Sequence, residues 1–226
     1  MDAISDRVPA ARILPVLDAL EAAYGPRVRQ HRLSAIDELV ATILSQNTSD
    51  VNTDRAFAGL RSRFAGWDDV AAAPTAEVVD AIRVGGLANQ KGPRIQAVLR
   101  ELAARPEGYA LEGLARLPVD EAMERLTSLP GVGKKTASCV LLFSLDMPVM
   151  PVDTHVLRVS RRLGWAGPGA TADRVHEILT AAVPPHRMLS AHLLLIEHGR
   201  RTCRALRPRC GECAVAGMCP SAFQVR

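Results

Sequence analysis

Lysine is nearly absent from this 226-residue chain. Of its 28 lysines and arginines, only Lys91, Lys134 and Lys135 are lysine. Arginine holds phosphate at least as well, but it cannot shed its proton and attack carbon. A lysine kept in such a chain points to a task that needs an amine, and two of the three stand side by side. Long apolar runs are missing too: the longest, residues 137–145, is far too short to span a bilayer. The start of the chain (Met1, Asp2, Asp6, Arg7) is polar and acidic, unlike a secretory signal. These features predict a soluble, intracellular protein. No segment alternates apolar and polar residues over the length of a half-buried strand, and neither an internal repeat nor a low-complexity stretch is present. Cysteine is absent before Cys139; the other four, Cys203, Cys210, Cys213 and Cys219, crowd the last segment. In an intracellular protein that distribution favours metal binding over disulfides.

The length suffices for one large or two small domains, and the 48% hydrophobic fraction is ordinary for a globular protein. A formal net charge of +4 is mildly basic and compatible with a polyanionic partner. Helical periodicity runs throughout. Ile13, Leu14, Leu17 and Leu20 form one apolar face; Ile36, Leu39, Val40, Ile43 and Leu44 form a second, entered through Ser34 as N-cap. Val51, Phe57, Leu60 and Phe64 suggest a third. Thr75 is expected to cap a short helix carrying Val78, Val79 and Ile82, ended by Gly85-Gly86. Ile95, Val98, Leu99 and Leu102 make another stripe, and Pro118 opens a helix through Met123 and Leu126. Further helices are expected over 154–163, over 171–182, and from Pro184-Pro185 to Gly199. The fold class read from this pattern is all-α.

Leu129-Pro130-Gly131-Val132-Gly133-Lys134-Lys135-Thr136-Ala137 reads as a glycine hairpin between two amphipathic helices. Gly131 and Gly133 can take left-handed backbone angles and leave room for close approach. Amides at the start of the second helix then point at an anion, which lets the hairpin hold a nucleic-acid phosphate without reading sequence. Leu129 and Val132 would anchor the turn in the core. The plain alternative for Lys134 and Lys135 is a solvated charge pair. Near the end, Cys203-x6-Cys210-x2-Cys213-x5-Cys219 gathers four thiolates, which suit either tetrahedral zinc or a [4Fe–4S] cube. Between the first two, Arg204, Arg207 and Arg209 offer a second phosphate-binding surface, or else an exposed solubilising loop. Cys139, among Val140, Leu141, Leu142 and Phe143, reads as a buried, inert thiol.

The hairpin residues, together with Val152-Asp153-Thr154-His155 and the cysteine spacing, resemble the endonuclease III family of helix-hairpin-helix DNA glycosylases. The resemblance runs from about Ser34 through Cys219. It implies two helical subdomains flanking a DNA-binding cleft, with the hairpin at their junction and a cluster loop at the C-terminal end. The expected division is 30–133 as a helical-barrel subdomain, and 1–29 plus 134–226 as a second one holding the cluster loop 203–219. It implies Lys135 as nucleophile: a neutral amine displaces the base at the sugar C1′ and forms a Schiff base, which permits β-elimination of the 3′ phosphate. It implies Asp153 as the carboxylate that stabilises positive charge on the sugar and assists proton movement; its plain alternative is a helix N-cap, and both can hold at once.

The family likeness also selects [4Fe–4S] over zinc for Cys203, Cys210, Cys213 and Cys219. Gly131, Val132, Gly133 and Lys134 become backbone-binding residues, Leu87 an intercalating wedge, and Gln46 and Asn47 a pocket-wall and gap-filling segment. Here the chain departs from the family pattern: Asn47 stands where glutamine is usual, and Gln46 replaces a small residue. The implied partner is double-stranded DNA bearing damaged bases or abasic sites, bound by a monomeric, cytoplasmic, nucleoid-associated protein of bacterial type. The expected activity is a bifunctional glycosylase/abasic-site lyase for oxidised pyrimidines. The alternatives are a monofunctional glycosylase for mispaired adenine, thymine or uracil, and a non-catalytic iron–sulfur DNA-binding protein.

Overall fold

The computed structural model describes residues 10–29 and 31–224; the acidic start at 1–7 lies outside them. Every regular element among the described residues is helical, so the chain is all-α. In chain order the α-helices are α1 (Ala10–Tyr24), α2 (Ala35–Leu44), α3 (Asp50–Arg63), α4 (Trp67–Ala72), α5 (Thr75–Ala81) and α6 (Ala88–Ala103). There follow α7 (Val119–Thr127), α8 (Lys134–Phe143), α9 (Thr154–Arg162), α10 (Ala172–Ala182) and α11 (Met188–Arg201), with short 3-10 turns between them. Among the described residues, no helix is long and apolar enough to cross a membrane.

The chain divides into two compact units. One is Arg32–Asp146; the other joins the chain up to His31 with everything from Met147 onward. The division therefore falls after Asp146, not after Gly133. The reason is packing. Residues 136–142 of α8 are all buried, as are most of α2, and these two helices lie against each other. A helix apolar on all sides belongs in the middle of a unit. The apolar run 137–145 is thus mostly this central helix, and Cys139 within it is 4% exposed.

In the 32–146 unit, Ser34 caps α2 through its side chain and Pro118 precedes α7. Ile95, Val98, Leu99 and Leu102 of α6 are all buried. Two expectations are corrected. The face of α3 that is buried is Thr53, Ala56 and Leu60, while Val51 is 57% exposed. Thr75 is not a cap: Pro74 holds that position, and the Thr75 hydroxyl donates to Gln96 Oε1 at 2.7 Å. The buried Gln96 amide in turn donates to the carbonyls of Val70 and Ala73. Trp67 and its helix α4 carry no clear periodic signal in the sequence; the ring is buried and its Nε1 donates to Asp37.

In the other unit, α1 packs on α11, and α11 and α10 pack on α9. Ile13, Val16, Leu17 and Leu20 of α1 are buried, which settles where the first helix belongs. Gly199 is required at the α9–α11 contact, because a Cβ there would lie 2.8 Å from the Cβ of His155. Tyr24 spans from α1 to α11, its hydroxyl 2.9 Å from both His198 Nδ1 and Thr202 Oγ1.

Candidate nucleic-acid interface

The hairpin is built as its residues dictate, with one difference between its glycines. Leu129 and Val132 are 2% and 5% exposed and anchor it, and the Val132 amide donates to the Leu129 carbonyl at 3.1 Å. Gly131 has φ +73°, and a Cβ there would meet Arg94 Nε at 2.9 Å. Gly133 instead is extended, with φ −92° and ψ 171°, and a Cβ there would meet nothing within 4 Å. So only Gly131 is left-handed; Gly133 supplies open space before the first turn of α8. As N-cap it offers no side chain, and no side-chain hydrogen bond closes that turn. The amide groups and dipole at the start of α8 suit an anion. Gly131→Ala is expected to cost about 1–2 kcal/mol in denaturant melts, the penalty for a left-handed residue with a side chain, while Gly133→Ala should leave stability nearly unchanged. Equal losses for the two variants would contradict this division.

Lys134 and Lys135 are the first two residues of α8 and are partly exposed. Two cations at the positive end of a helix oppose its dipole, so their placement costs stability rather than adding it. In the same unit, Gln46 and Asn47 follow α2. Asn47 is exposed with φ +52°, a conformation that asparagine tolerates better than most residues. Gln46 Oε1 accepts from Arg94 Nη1 at 2.9 Å. Leu87 is the N-cap of α6; it also has φ +52° and leaves a large apolar side chain 45% exposed. A leucine held in the left-handed region is a backbone outlier, of the kind that clusters at functional positions.

In the other unit, Asp153 is the N-cap of α9: its Oδ1 accepts the Val156 amide at 2.8 Å. The plain structural role therefore holds. The capping bond engages Oδ1, one of the two carboxylate oxygens. Cys203, Cys210, Cys213 and Cys219 all line one cavity, with Arg162, His198 and Thr202 and without a carboxylate. Burial first, and then the neighbouring thiolates, push the Cys213 and Cys219 thiols up. Thiolates gathered there would repel one another, and a bound cation would offset that repulsion. Among the described residues no three cysteine, histidine or acidic side chains converge as ligands of a single metal ion; the thiols surround a space instead. Burial and the Arg158 charge depress His198 to about 4, so its imidazole is neutral beside Cys213.

Two residues that sequence reasoning passes over shape the cysteine loop. Arg162 donates to the carbonyls of Arg204 and Ala205 at 2.6 and 2.9 Å and to Cys203 Sγ at 3.5 Å. Arg158 donates to the Cys203 and Gly199 carbonyls. Their spacing of four on α9 is the available signal. Arg204, Arg207 and Arg209 are all exposed, though Arg209 lies 3.7 Å from Glu212.

Residues 40–185 match the HhH-GPD superfamily of base excision DNA repair proteins, a span that holds the hairpin, Lys135 and Asp153. The chain belongs to that superfamily. Among HhH-GPD relatives, endonuclease III of Escherichia coli (strain K12) is 36% identical over 193 residues, 82% of this chain and 83% of its own. Endonuclease III of Thermotoga maritima is 35% identical over 181 residues, 80% of each chain. A candidate DNA glycosylase of Arabidopsis thaliana is 40% identical over 167 residues, 74% of this chain but only 57% of that protein. A solved structure of endonuclease III trapped as a covalent intermediate with DNA has a TM-score of 0.82 at 27% identity, covering 96% of this chain and 98% of that one. A thermostable thymine-DNA glycosylase shares the HhH-GPD fold, with a TM-score of 0.79 at 19% identity over 95% and 98% of the two chains.

Proposed function

We propose that this endonuclease III-like protein is a bifunctional DNA glycosylase and abasic-site lyase that removes damaged bases, chiefly oxidised pyrimidines, from duplex DNA. The observation that carries this reading is Lys135 itself. It is one of three lysines in the chain, placed at the start of α8 directly after the phosphate-holding hairpin. A non-catalytic DNA-binding protein could use arginine there, which holds phosphate at least as well at the same cost against the helix dipole but cannot act as a nucleophile.

In this reading Gly131, Val132, Gly133 and Lys134 hold the backbone of the strand. The Leu87 wedge and the Gln46–Asn47 segment enter the duplex as the damaged nucleotide leaves the stack. The Lys135 amine attacks C1′ as the glycosidic bond breaks, and the Schiff base that results permits loss of the 3′ phosphate. Asp153 stabilises positive charge on the sugar and assists proton movement. The four cysteines fit a [4Fe–4S] cluster by donor type and by the cavity they line; they would hold it there and so tie the C-terminal loop together. Arg204, Arg207 and Arg209, on the loop between Cys203 and Cys210, would then form a second phosphate-binding surface.

The test is borohydride trapping on duplexes carrying thymine glycol, uracil, a G·T mismatch, an A·8-oxoguanine pair or an abasic site. An adduct on thymine glycol is expected. Base release with no trapped adduct would make the protein a monofunctional glycosylase, and neither release nor trapping on any duplex would remove the enzymatic reading. Replacing Arg204, Arg207 and Arg209 with alanine should weaken binding to any sequence. It should also flatten the dependence of log affinity on log salt by about two to three, close to one unit per arginine, with Arg209 contributing least because of Glu212. An unchanged slope would reduce that loop to a solubilising surface.

A further inference from the structure

The third lysine has a different task. Lys91 is 2% exposed, and its ammonium donates to the Leu44 carbonyl at 2.6 Å and to the Gly85 carbonyl at 2.8 Å. Leu44 is the last residue of α2, immediately before Ser45-Gln46-Asn47, and its carbonyl belongs to the last turn, where helix partners run out. Gly85 closes the 3-10 turn immediately before Gly86-Leu87. The Lys91 amide also donates to the Leu87 carbonyl at 2.9 Å. One residue thus holds the segment after α2 and both sides of the Leu87 turn, 47 and 6 positions away in sequence. Residue type matters here. A compact ammonium fits between two backbone carbonyls, whereas a planar guanidinium is larger and directs its donors in a fixed fork. The positive charge also complements the C-terminal end of α2. Burial depresses the Lys91 pKa, the expected effect of removing a cation from water. One turn further along α6, Arg94 continues the pattern: it donates to Gln46 Oε1 and its side chain lies against Gly131 of the hairpin.

We propose that Lys91 is a positioning residue that locks the Gln46–Asn47 segment and the Leu87 turn into one rigid element, so that both enter a duplex together. This rests on the reading above, in which those two segments displace a damaged base. Without the ammonium, two buried carbonyls lose their donor and each segment is free to move alone. Extruding a base from a duplex would then suffer, while chemistry on a sugar that needs no extrusion would not.

The test is Lys91→Met, which keeps the length of the stem and removes the charge. Excision of thymine glycol from a duplex is expected to slow about tenfold or more, as for a displaced positioning group. Lyase cleavage of a single-stranded abasic oligonucleotide should stay within about twofold of wild type, since no base needs flipping. Amide hydrogen exchange should rise at 45–47 and at 85–88 together, with 129–133 unchanged. Parallel loss of both activities, no loss of either, or faster exchange at only one segment would overturn the proposal. If the variant does not fold, wild-type exchange decides: the two segments should open with one common free energy, and distinct values would overturn it. A wild-type protein that excises no base would refute the functional reading instead, and the exchange data would still judge the lock.

Discussion

Lys135→Ala is expected to abolish both strand nicking and the borohydride-trapped adduct, a loss of at least about 10³-fold, because no other amine replaces the nucleophile. Lys134 is adjacent but precedes it on a helix, where successive side chains point about 100° apart. Duplex affinity should change by no more than about threefold, since a single phosphate contact carries a small part of a salt-dependent interface. Stability is the informative control. Lys135 is partly exposed and sits at the positive end of α8. Alanine there removes an unfavourable charge–dipole contact and should stabilise the fold by about 0.3–1 kcal/mol. A variant that is more stable and yet inactive would identify a residue kept for chemistry at the expense of folding. A variant that still nicks would sink the nucleophile assignment.

Asp153 allows its two roles to be measured separately. Asparagine caps a helix about as well as aspartate, so Asp153→Asn should keep the bond to the Val156 amide and change stability by less than about 0.5 kcal/mol. It removes the negative charge, however, and excision should fall by about 10²–10³-fold, the usual cost of losing one charge-stabilising group. Asp153→Ala loses both roles and should cost a further 0.5–2 kcal/mol or so of stability by chemical denaturation. If the asparagine variant excises at the wild-type rate while the alanine variant is destabilised, Asp153 is a cap and nothing more.

Much of the molecule is legible in its residue order. Helical class follows from apolar spacing, because a stripe recurring every three to four residues can be buried only by a helix. Ser34, Pro118 and the glycine hairpin mark helix ends through local chemistry, and the fold places each accordingly. The differences at Val51 and Thr75 have separate causes: Val51 sits in the first turn of α3 with its side exposed, and the Thr75 hydroxyl is taken by Gln96 from another helix. Trp67 and α4 escape the pattern because six residues make less than two turns and show no period.

By its own composition and spacing, the sequence determined that the chain is helical, that a lysine follows a glycine hairpin, and that four thiols lie near its end. Tertiary structure decided what those pieces are held by. Packing of α8 on α2 put Lys135 in the 32–146 unit rather than in the one that holds the cysteines. Burial turned Lys91, one lysine among three, into a bond between two distant segments. Arg94 and Arg162 are two arginines among many until the fold brings Gln46 and Gly131 to one, and the Arg204–Ala205 backbone to the other. Local patterns along a chain report what neighbours in sequence require of each other. Which carbonyl meets which donor across dozens of residues is set only when the core closes.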